Sequence, residues 1–224
     1  MDINLPIPTY VVNLRDRKDR REHIISQFKD KPEFDLIFVD AVEDENGAVG
    51  LWKSLVKVIE IAKELKHKKI IFCEDDHIFT HHYSSEYLFK SIEAARQKGV
   101  VLLIGGISGF GNSVPIEENL YWVDWYWGNQ FLVIDEILYD RILNYDFKSG
   151  NTADETLSWL TNSKATMYPF ISEQKEFGYS DISSINGRKG YVSWLFNNAR
   201  KRLLSIHRVN EIYNNYKRYI FIKF

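Results

Sequence analysis

Three adjacent acidic residues, Glu74, Asp75 and Asp76, directly follow the apolar residues 70–73. The apolar run predicts a buried strand, and ligands bind at the carboxyl ends of strands in open α/β sheets. Clustered carboxylate oxygens suit a hard divalent cation, so Mn²⁺ or Mg²⁺ is the expected cofactor. Because successive strand residues point to opposite faces, we expect Glu74 and Asp76 to share one ion, with Asp75 alongside. A solvated acidic turn would explain the same residues without a metal.

A second acidic candidate, Asp154, stands where a helix is predicted to begin. Thr152 and Glu155 have the spacing of a capping box, in which both side chains satisfy the first amides of the helix. Asp154 is not needed for that cap and is therefore a candidate general base. The helix dipole also favours an Asp in the first turn, which would explain the residue without catalysis.

Basic residues crowd the start of the first predicted helix, where the helix dipole disfavours cations by ~0.3–1 kcal/mol each. They follow the first predicted strand, so they would face the same end of the sheet as the acidic residues and could hold a diphosphate. A solvated basic helix face is the alternative. The residues are Arg15, Arg17, Lys18, Arg20 and Arg21.

Large aromatic side chains alternate along residues 121–127, and Gly128, Asn129 and Gln130 follow them. Such a surface could stack on sugar rings, although one face of the segment is expected to belong to the core. Trp127, Asn129 and Gln130 are therefore candidates for contact with a sugar.

Composition favours one globular domain. The chain has 224 residues, of which 45% are apolar, enough for a sizeable core. It has no apolar stretch of membrane-spanning length and no basic signal-peptide start, so we expect a cytoplasmic protein. The single cysteine, Cys73, excludes an internal disulfide and is expected to be a packed thiol. His77, His81 and His82 have a spacing that fits a helix face and invites zinc, but we expect ordinary surface histidines.

Apolar periodicity predicts strands that alternate with helices. Strands are predicted at residues 9–14, 36–39, 69–73, 100–104 and 131–134, and helices at 16–28, 49–65 and 85–97. Ile24, Ile25 and Phe28 form the expected inner face of the first helix. The alternation indicates an α/β fold with a largely parallel central sheet and helices on both faces.

Charge divides the chain after Gly187. Residues 188–224 hold nine Lys and Arg against one acid, a net charge of +8, whereas the preceding residues hold 20 against 30, a net charge of −10. We expect a main domain over residues 1–187 and a basic, aromatic extension over 188–224. The extension suits an anionic membrane surface, or its aromatic residues pack onto the main domain. The acidic main domain makes nucleic acid an unexpected partner.

Taken in chain order, these segments resemble the family 25 glycosyltransferases, which include bacterial lipopolysaccharide sugar transferases and collagen galactosyltransferases. The resemblance covers roughly residues 9–182. Two positions depart from the family, because Leu55 stands where it usually has His, and Arg15 with Asp16 where it often has Asp-Arg. The matching segments are Asn13 with Leu14, Asp19 with Arg20, residues 50–54, residues 72–76, Gly105 with Gly106, residues 128–130, Asp154, Pro169, Gln174, and Ser180 with Asp181 and Ile182.

This resemblance implies a type A glycosyltransferase fold, a single Rossmann-like catalytic domain. It implies an inverting, metal-dependent transfer of a hexose, galactose or glucose, from a UDP-sugar to a hydroxyl of a glycan or lipid-linked acceptor, in lipopolysaccharide or surface-glycan biosynthesis. A lipid-linked acceptor would place the enzyme peripherally at the cytoplasmic leaflet. The implied site has Glu74, Asp75 and Asp76 at the metal, Asn13, Arg17, Arg20, Ser54 and Asp181 at the donor, Trp127, Asn129 and Gln130 at the acceptor, and Asp154 as base.

Two other classes of protein remain open. A metal-dependent phosphohydrolase or nucleotidyltransferase would use the same carboxylates but needs no aromatic acceptor platform. A non-catalytic nucleotide-sugar-binding protein would bind the donor without turnover, and the departures at Arg15 and Leu55 keep that class open.

Overall fold

The computed structural model describes residues 6–178 and 188–221, with side chains described as far as Asn214. The strands are β1 (Ile7–Asn13), β2 (Phe34–Asp40), β3 (Lys69–Glu74), β4 (His77–Phe79), β5 (Leu102–Ile104), β6 (Gly109–Phe110), β7 (Ser113–Glu117), β8 (Leu120–Val123), β9 (Tyr126–Trp127), β10 (Phe131–Asp135), β11 (Lys164–Met167) and β12 (Ser172–Gln174). The helices are α1 (Lys18–Phe28), α2 (Gly47–Glu64), α3 (Ser85–Gln97), α4 (Tyr139–Leu143), α5 (Ala153–Leu160) and α6 (Tyr191–Phe221), and a 3-10 turn covers Glu136–Leu138.

Eight strands form one central sheet in the order β2-β1-β3-β10-β5-β11-β8-β7. β1 is parallel to both of its neighbours, β2 and β3, which gives the first half of the chain a Rossmann-like βαβαβ arrangement. β10 and β8 run against the other strands, so the sheet is mixed although most of its strands share one direction. The predicted α/β class is confirmed. The strand predicted at 131–134 is found as β10, but its antiparallel direction and its place between β3 and β5 were not predicted.

Helices cover both faces of the sheet, as predicted, and β3 shows how the two cores are divided. Ile70 and Phe72 belong to the core beneath α2, α4, α5 and α6, whereas Ile71 and Cys73 belong to the core beneath α1 and α3. Alternate strand residues point to opposite faces, so a continuous apolar run serves both cores. Each fully buried large side chain stabilises the fold by about 1.5–3 kcal/mol. Cys73 is a buried free thiol, as expected.

The basic extension contributes its first half to the core. Val192, Phe196, Ala199 and Leu203 of α6 recur at helical spacing and are buried against the sheet. Arg202 donates from both terminal nitrogens to the carbonyls of Phe110 and Gly111, each at 2.6 Å. The expected packing of aromatic and apolar residues onto the main domain is therefore found over this half of α6.

Beyond His207 most of the described side chains of α6 are exposed. Val209, Ile212 and Tyr213 are large and exposed. Across residues 6–178 and 188–221, no helix combines the length and the apolar composition that crossing a bilayer requires.

Two burial predictions are wrong. Ile25, expected on the inner face of α1, is 47% exposed, because Ile24 and Phe28 already fill the contact with the sheet. His77, expected at the surface, is fully buried, because β4 pairs with β12 and its ring packs among aromatic side chains. Its Nδ1 lies 2.8 Å from Ser172 Oγ. His81 and His82 are exposed, as expected.

Candidate active site

The candidate site lies at the carboxyl ends of β1 and β3. β2 and β3 lie on opposite sides of β1 in the sheet. The helices that connect these strands, α1 and α2, therefore cover opposite faces of the sheet. A crevice opens at such a reversal of strand order, and ligands of open α/β sheets bind there. Asn13 ends β1 and Glu74 ends β3, and both line a pocket of about 460 Å³, here called the first pocket.

The three acidic residues lie where β3 ends at Glu74 and the chain turns at Asp75 and Asp76. Asp75 turns to the side of α1, where its Oδ1 accepts from Arg20 Nη1 at 3.0 Å. Its Oδ2 accepts from Asn13 Nδ2 at 2.8 Å. Glu74 takes the other side, within electrostatic reach of Asp154 of α5, and Asp76 is the neighbour whose charge acts on it most strongly. That Glu74 and Asp76 share one ion stays a prediction.

The paired carboxylates Glu74 and Asp76 are half-buried and repel each other. Burial, and next the charge of Asp76, raise the pKa of Glu74 well above its ordinary value. Burial, and next the charge of Asp75, raise the pKa of Asp76 to about 7. Asp76 Oδ2 accepts only a 3.5 Å hydrogen bond from Gln174, and Oδ1 is buried without a partner among the described residues. A buried acceptor of this kind costs stability unless a ligand satisfies it.

The acidic pair fits a divalent cation that takes its other ligands from substrate. In the described part of the chain, no group of three or more His, Cys, Asp or Glu side chains is arranged to hold a metal ion. Mg²⁺ is commonly bound by one or two carboxylates together with substrate phosphates and water. Glu74 and Asp76 would supply those two carboxylates, whereas both oxygens of Asp75 already have partners. Asp75 is better described as the residue that positions Asn13 and Arg20.

The basic cluster divides into residues that reach the pocket and residues that do not. Arg17 and Arg20 line the first pocket, as expected for donor contacts. Arg20 is 13% exposed and Asp75 11% exposed at their side chains, so theirs is a sheltered ion pair. Arg15 instead pairs with Asp40 at 2.6 Å in solvent, and the guanidinium of Arg21 lies 4.0 Å from the ring centre of Phe38.

Ser54 shapes the wall of the first pocket through hydrogen bonds within the protein. Its Oγ donates to the carbonyl of Gly50 at 2.7 Å and accepts from the amide of Val42 at 2.8 Å. A Cβ at Gly50 would lie 2.7 Å from Val42 O, so only glycine lets α2 approach the loop after β2 this closely. Ser54 is only 1% exposed, so its hydroxyl holds the pocket wall in place.

A second pocket, of about 350 Å³, adjoins the first and contains Asp154. The two pockets share Leu51, Glu74 and Gln174 in their walls. Burial, and then the charges of Asp154 and Glu74, raise the pKa of the Tyr126 hydroxyl, so both carboxylates lie near this one group. The site therefore has two adjoining compartments with Glu74 at their junction.

Asp154 is held by backbone amides at the start of α5. Its Oδ2 accepts from Gly128 N at 3.1 Å and its Oδ1 from Glu155 N at 3.0 Å. Gly128 has a φ of 112°, a conformation that favours glycine, and this turn directs its N–H toward Asp154. The predicted capping box is wrong, because Thr152 makes no cap hydrogen bond and its buried Oγ1 has no partner among the described residues.

The predicted acceptor residues are only partly at the surface of the site. Trp127 is 40% exposed and lines the second pocket together with Asn129. Tyr126 Oη donates to Asn129 Oδ1 at 3.2 Å. The prediction for Gln130 is corrected, because its side chain is fully buried, lines neither pocket and donates to Gly106 O at 2.8 Å.

Three residues of the pocket walls carry no local pattern that points to a ligand. Gln174 was indicated only by the family resemblance, yet it lines both pockets. Tyr191 and Leu195 of α6 line the second pocket, although the extension was expected to lie outside the catalytic domain. Asp181, a predicted donor residue, and its neighbours Ser180 and Ile182 lie outside the described residues.

Comparisons with known proteins find distant similarity in structure and no match in sequence. No protein-family model matches the chain, and no curated protein matches its sequence. Among solved structures it is similar to A197 from STIV, with 14% identity, a TM-score of 0.49, and 78% of this chain and 87% of that chain covered. It is also similar to apo UDP-glucose pyrophosphorylase, with 12% identity, a TM-score of 0.45, and coverage of 88% and 82%. UDP-glucose pyrophosphorylase complexed with UDP-glucose gives 10% identity, a TM-score of 0.45, and coverage of 88% and 81%. Function therefore has to be argued from the site residues.

Proposed function

We propose that this protein is an inverting, metal-dependent glycosyltransferase of the family 25 type, which transfers galactose or glucose from a UDP-sugar to a hydroxyl of a glycan or lipid-linked acceptor. The observation that carries the proposal is the pair of pockets that meet at Glu74, one beside Asp76 and Arg20 and the other containing Asp154. A transferase needs two substrates side by side, whereas a phosphohydrolase needs room only for one substrate and water.

The first pocket suits the donor. Glu74 and Asp76 would hold Mn²⁺ or Mg²⁺, which when bound neutralises a diphosphate and stabilises it as a leaving group. Arg17 and Arg20 line the same pocket and supply further positive charge. Arg20 is fixed by Asp75, so its guanidinium is pre-oriented before a ligand arrives.

The second pocket suits the acceptor. Asp154 takes the proton of the acceptor hydroxyl as the oxygen attacks the anomeric carbon, the bond to the diphosphate breaks, and UDP leaves with the electron pair. The Gly128 amide holds one oxygen of Asp154, which orients the carboxylate. One displacement from the face opposite the leaving group inverts the anomeric centre.

Thermal stability with nucleotide sugars tests the donor. We expect UDP-galactose or UDP-glucose to raise the melting temperature only when Mn²⁺ or Mg²⁺ is present, because the acidic pair repels a free diphosphate. A ligand at a hundredfold excess over its Kd stabilises the fold by about 2.7 kcal/mol. GDP-mannose is the control nucleotide sugar. Equal shifts with and without the cation would contradict the proposal.

The exposed half of α6 suits a lipid-linked acceptor. Val209, Ile212 and Tyr213 are exposed on a helix within a segment of net charge +8, so we propose peripheral docking to the anionic cytoplasmic leaflet. Such docking would bring the second pocket to acceptors in lipopolysaccharide or surface-glycan synthesis.

Vesicle flotation tests the docking. We expect the full chain to bind vesicles containing anionic lipid, to release at high salt, and to ignore neutral vesicles, because basic residues interact with the anionic surface within a Debye length. Truncation after Arg208 removes the exposed Val209, Ile212 and Tyr213 and three of the nine basic residues of the extension, so it should weaken binding. It keeps the core residues of α6, which truncation after Gly187 would remove. Equal partition of the intact and truncated proteins, both folded, would refute docking.

A further inference from the structure

The first turn of α6 forms one wall of the second pocket. Tyr191 and Leu195 are four residues apart, so they share one face of the helix, and both line this pocket. Val192 is buried and lines the first pocket. The extension thus contributes to both compartments of the site.

Glu176 fixes this turn of the helix. Its two carboxylate oxygens accept from the backbone N–H groups of Gly190, at 2.6 Å, and Ser193, at 3.0 Å. An acid at a helix N-terminus satisfies amides that have no partner inside the helix and interacts favourably with the helix dipole. Glu173 forms a second tie, an ion pair with Arg200. Both acids flank Gln174, so the position of α6 is set relative to a residue that lines both pockets.

The second pocket combines an apolar, aromatic side with an acidic side. Tyr191, Leu195 and Trp127 provide the apolar surface, and the carboxylates of Glu74, Asp154 and Glu155 provide hydrogen-bond acceptors. Among the described residues, no Lys or Arg side chain lines this pocket. An anionic ligand would therefore meet repulsion without compensation, whereas a ring with hydroxyl donors and apolar C–H faces would be complementary.

We propose that the second pocket binds a neutral pyranose, with an apolar face of the ring against Tyr191 and its hydroxyls toward the carboxylates. That this sugar is the acceptor rests on the proposed function. Uronic acids and sugar phosphates are excluded by the acidic lining. Tyr191 and Leu195 are then specificity-determining residues, and Glu176 is the residue that positions them.

Titration of the ¹⁵N-labelled full chain with simple glycosides tests the proposal, because Trp127 lines the pocket and its indole N–H reports on binding there. Trp127→Phe assigns the resonance. We expect methyl β-glucoside or methyl β-galactoside to shift the resonance, and methyl β-glucuronide to leave it unchanged. Tyr191→Ala should weaken binding by about twofold to tenfold, as loss of one aromatic contact does. Tyr213→Ala, an aromatic change at an exposed position of the same helix, is the matched control.

Two variants of Glu176 test whether this residue positions the first turn of α6. Glu176→Ala should weaken glycoside binding as Tyr191→Ala does, while Glu176→Gln, which can still accept from a helix amide, should restore it. No shift with either neutral glycoside up to its solubility limit, an equal shift with the glucuronide, or undiminished affinity in Tyr191→Ala would overturn the proposal. Failure of the proposed function would give a different result: the protein would not bind UDP, but it would still bind the neutral glycosides.

Discussion

Asp76→Asn is expected to abolish cation-dependent UDP binding and to stabilise the cation-free fold. Asp76 and Glu74 are half-buried like charges, and Asp76 Oδ1 has no partner among the described residues. Neutralising one of them removes repulsion and should raise the free energy of unfolding by about 1 kcal/mol or more above neutral pH. The same change removes one of two carboxylates available to the ion. Calorimetry with UDP and Mn²⁺, and urea unfolding with a chelator, measure the two effects.

The stability gain should depend on pH in a defined direction. The pKa of Asp76 is about 7 in the folded protein against an ordinary value of 3.8 for an aspartate, so the folded state binds the proton more tightly than the unfolded chain does. Wild type therefore loses stability as pH rises between these values, and Asp76→Asn does not. The advantage of the variant should vanish in acid, where the wild-type carboxyl is protonated in both states.

Asp75→Asn is the matched control, because it is the same change one residue away. It breaks the sheltered pair with Arg20 and leaves that guanidinium without its carboxylate, so we expect it to destabilise the fold, by about 3 kcal/mol. A gain of stability in Asp76→Asn and a loss in Asp75→Asn would support different roles for the two carboxylates. Loss of stability in both variants, with UDP binding intact in Asp76→Asn, would place the cation elsewhere.

Asp154→Asn is expected to lower the rate of sugar transfer by about 10²–10⁴ while donor affinity stays at the wild-type value, because it removes the base and no donor contact. Asn can still accept the hydrogen bond from Gly128, so the turn before α5 should be preserved. Product formation and UDP binding are measured on the same preparation. Glu155→Gln, a neighbouring acid that also lines the second pocket, should retain most activity. If the turnover of Asp154→Asn were near that of wild type, Asp154 would have a structural role and would not be the base.

The distinction from a hydrolase or nucleotidyltransferase is also measurable. A transferase should release UDP from a UDP-sugar faster when an acceptor is present, and that dependence should disappear in Asp154→Asn. A phosphohydrolase would release product equally without acceptor, and a non-catalytic binding protein would bind UDP-sugar and release nothing.

Sequence periodicity predicted the elements that carry one side of the site. The apolar run ending at Cys73 identified β3, and the acidic residues after it line the first pocket. Asp154 was found because it is an acid that the predicted cap did not need. That cap does not form, and Asp154 itself binds the Gly128 and Glu155 amides.

The sequence does not show which elements of the fold pack against each other. An apolar position records that a residue is buried, but not against which element, so β10 between β3 and β5 and the packing of α6 were not predictable. The burial of His77 depends on β12, nearly a hundred residues later. Gln130 follows a site residue in sequence, but its buried side chain donates to Gly106 O instead of lining a pocket. The pocket wall from Tyr191 and Leu195 arises only because α6 returns to the strand ends.

A crystal structure with UDP and Mn²⁺ would test the cation site itself, because the anomalous signal of manganese locates the ion independently of any ligand fit. We predict one strong anomalous peak in contact with the carboxylates of Glu74 and Asp76 and with the diphosphate, and the nucleoside in the first pocket. The second pocket should stay open, with Asp154 facing it. UDP bound without the ion, or a manganese peak away from Glu74 and Asp76, would contradict the account.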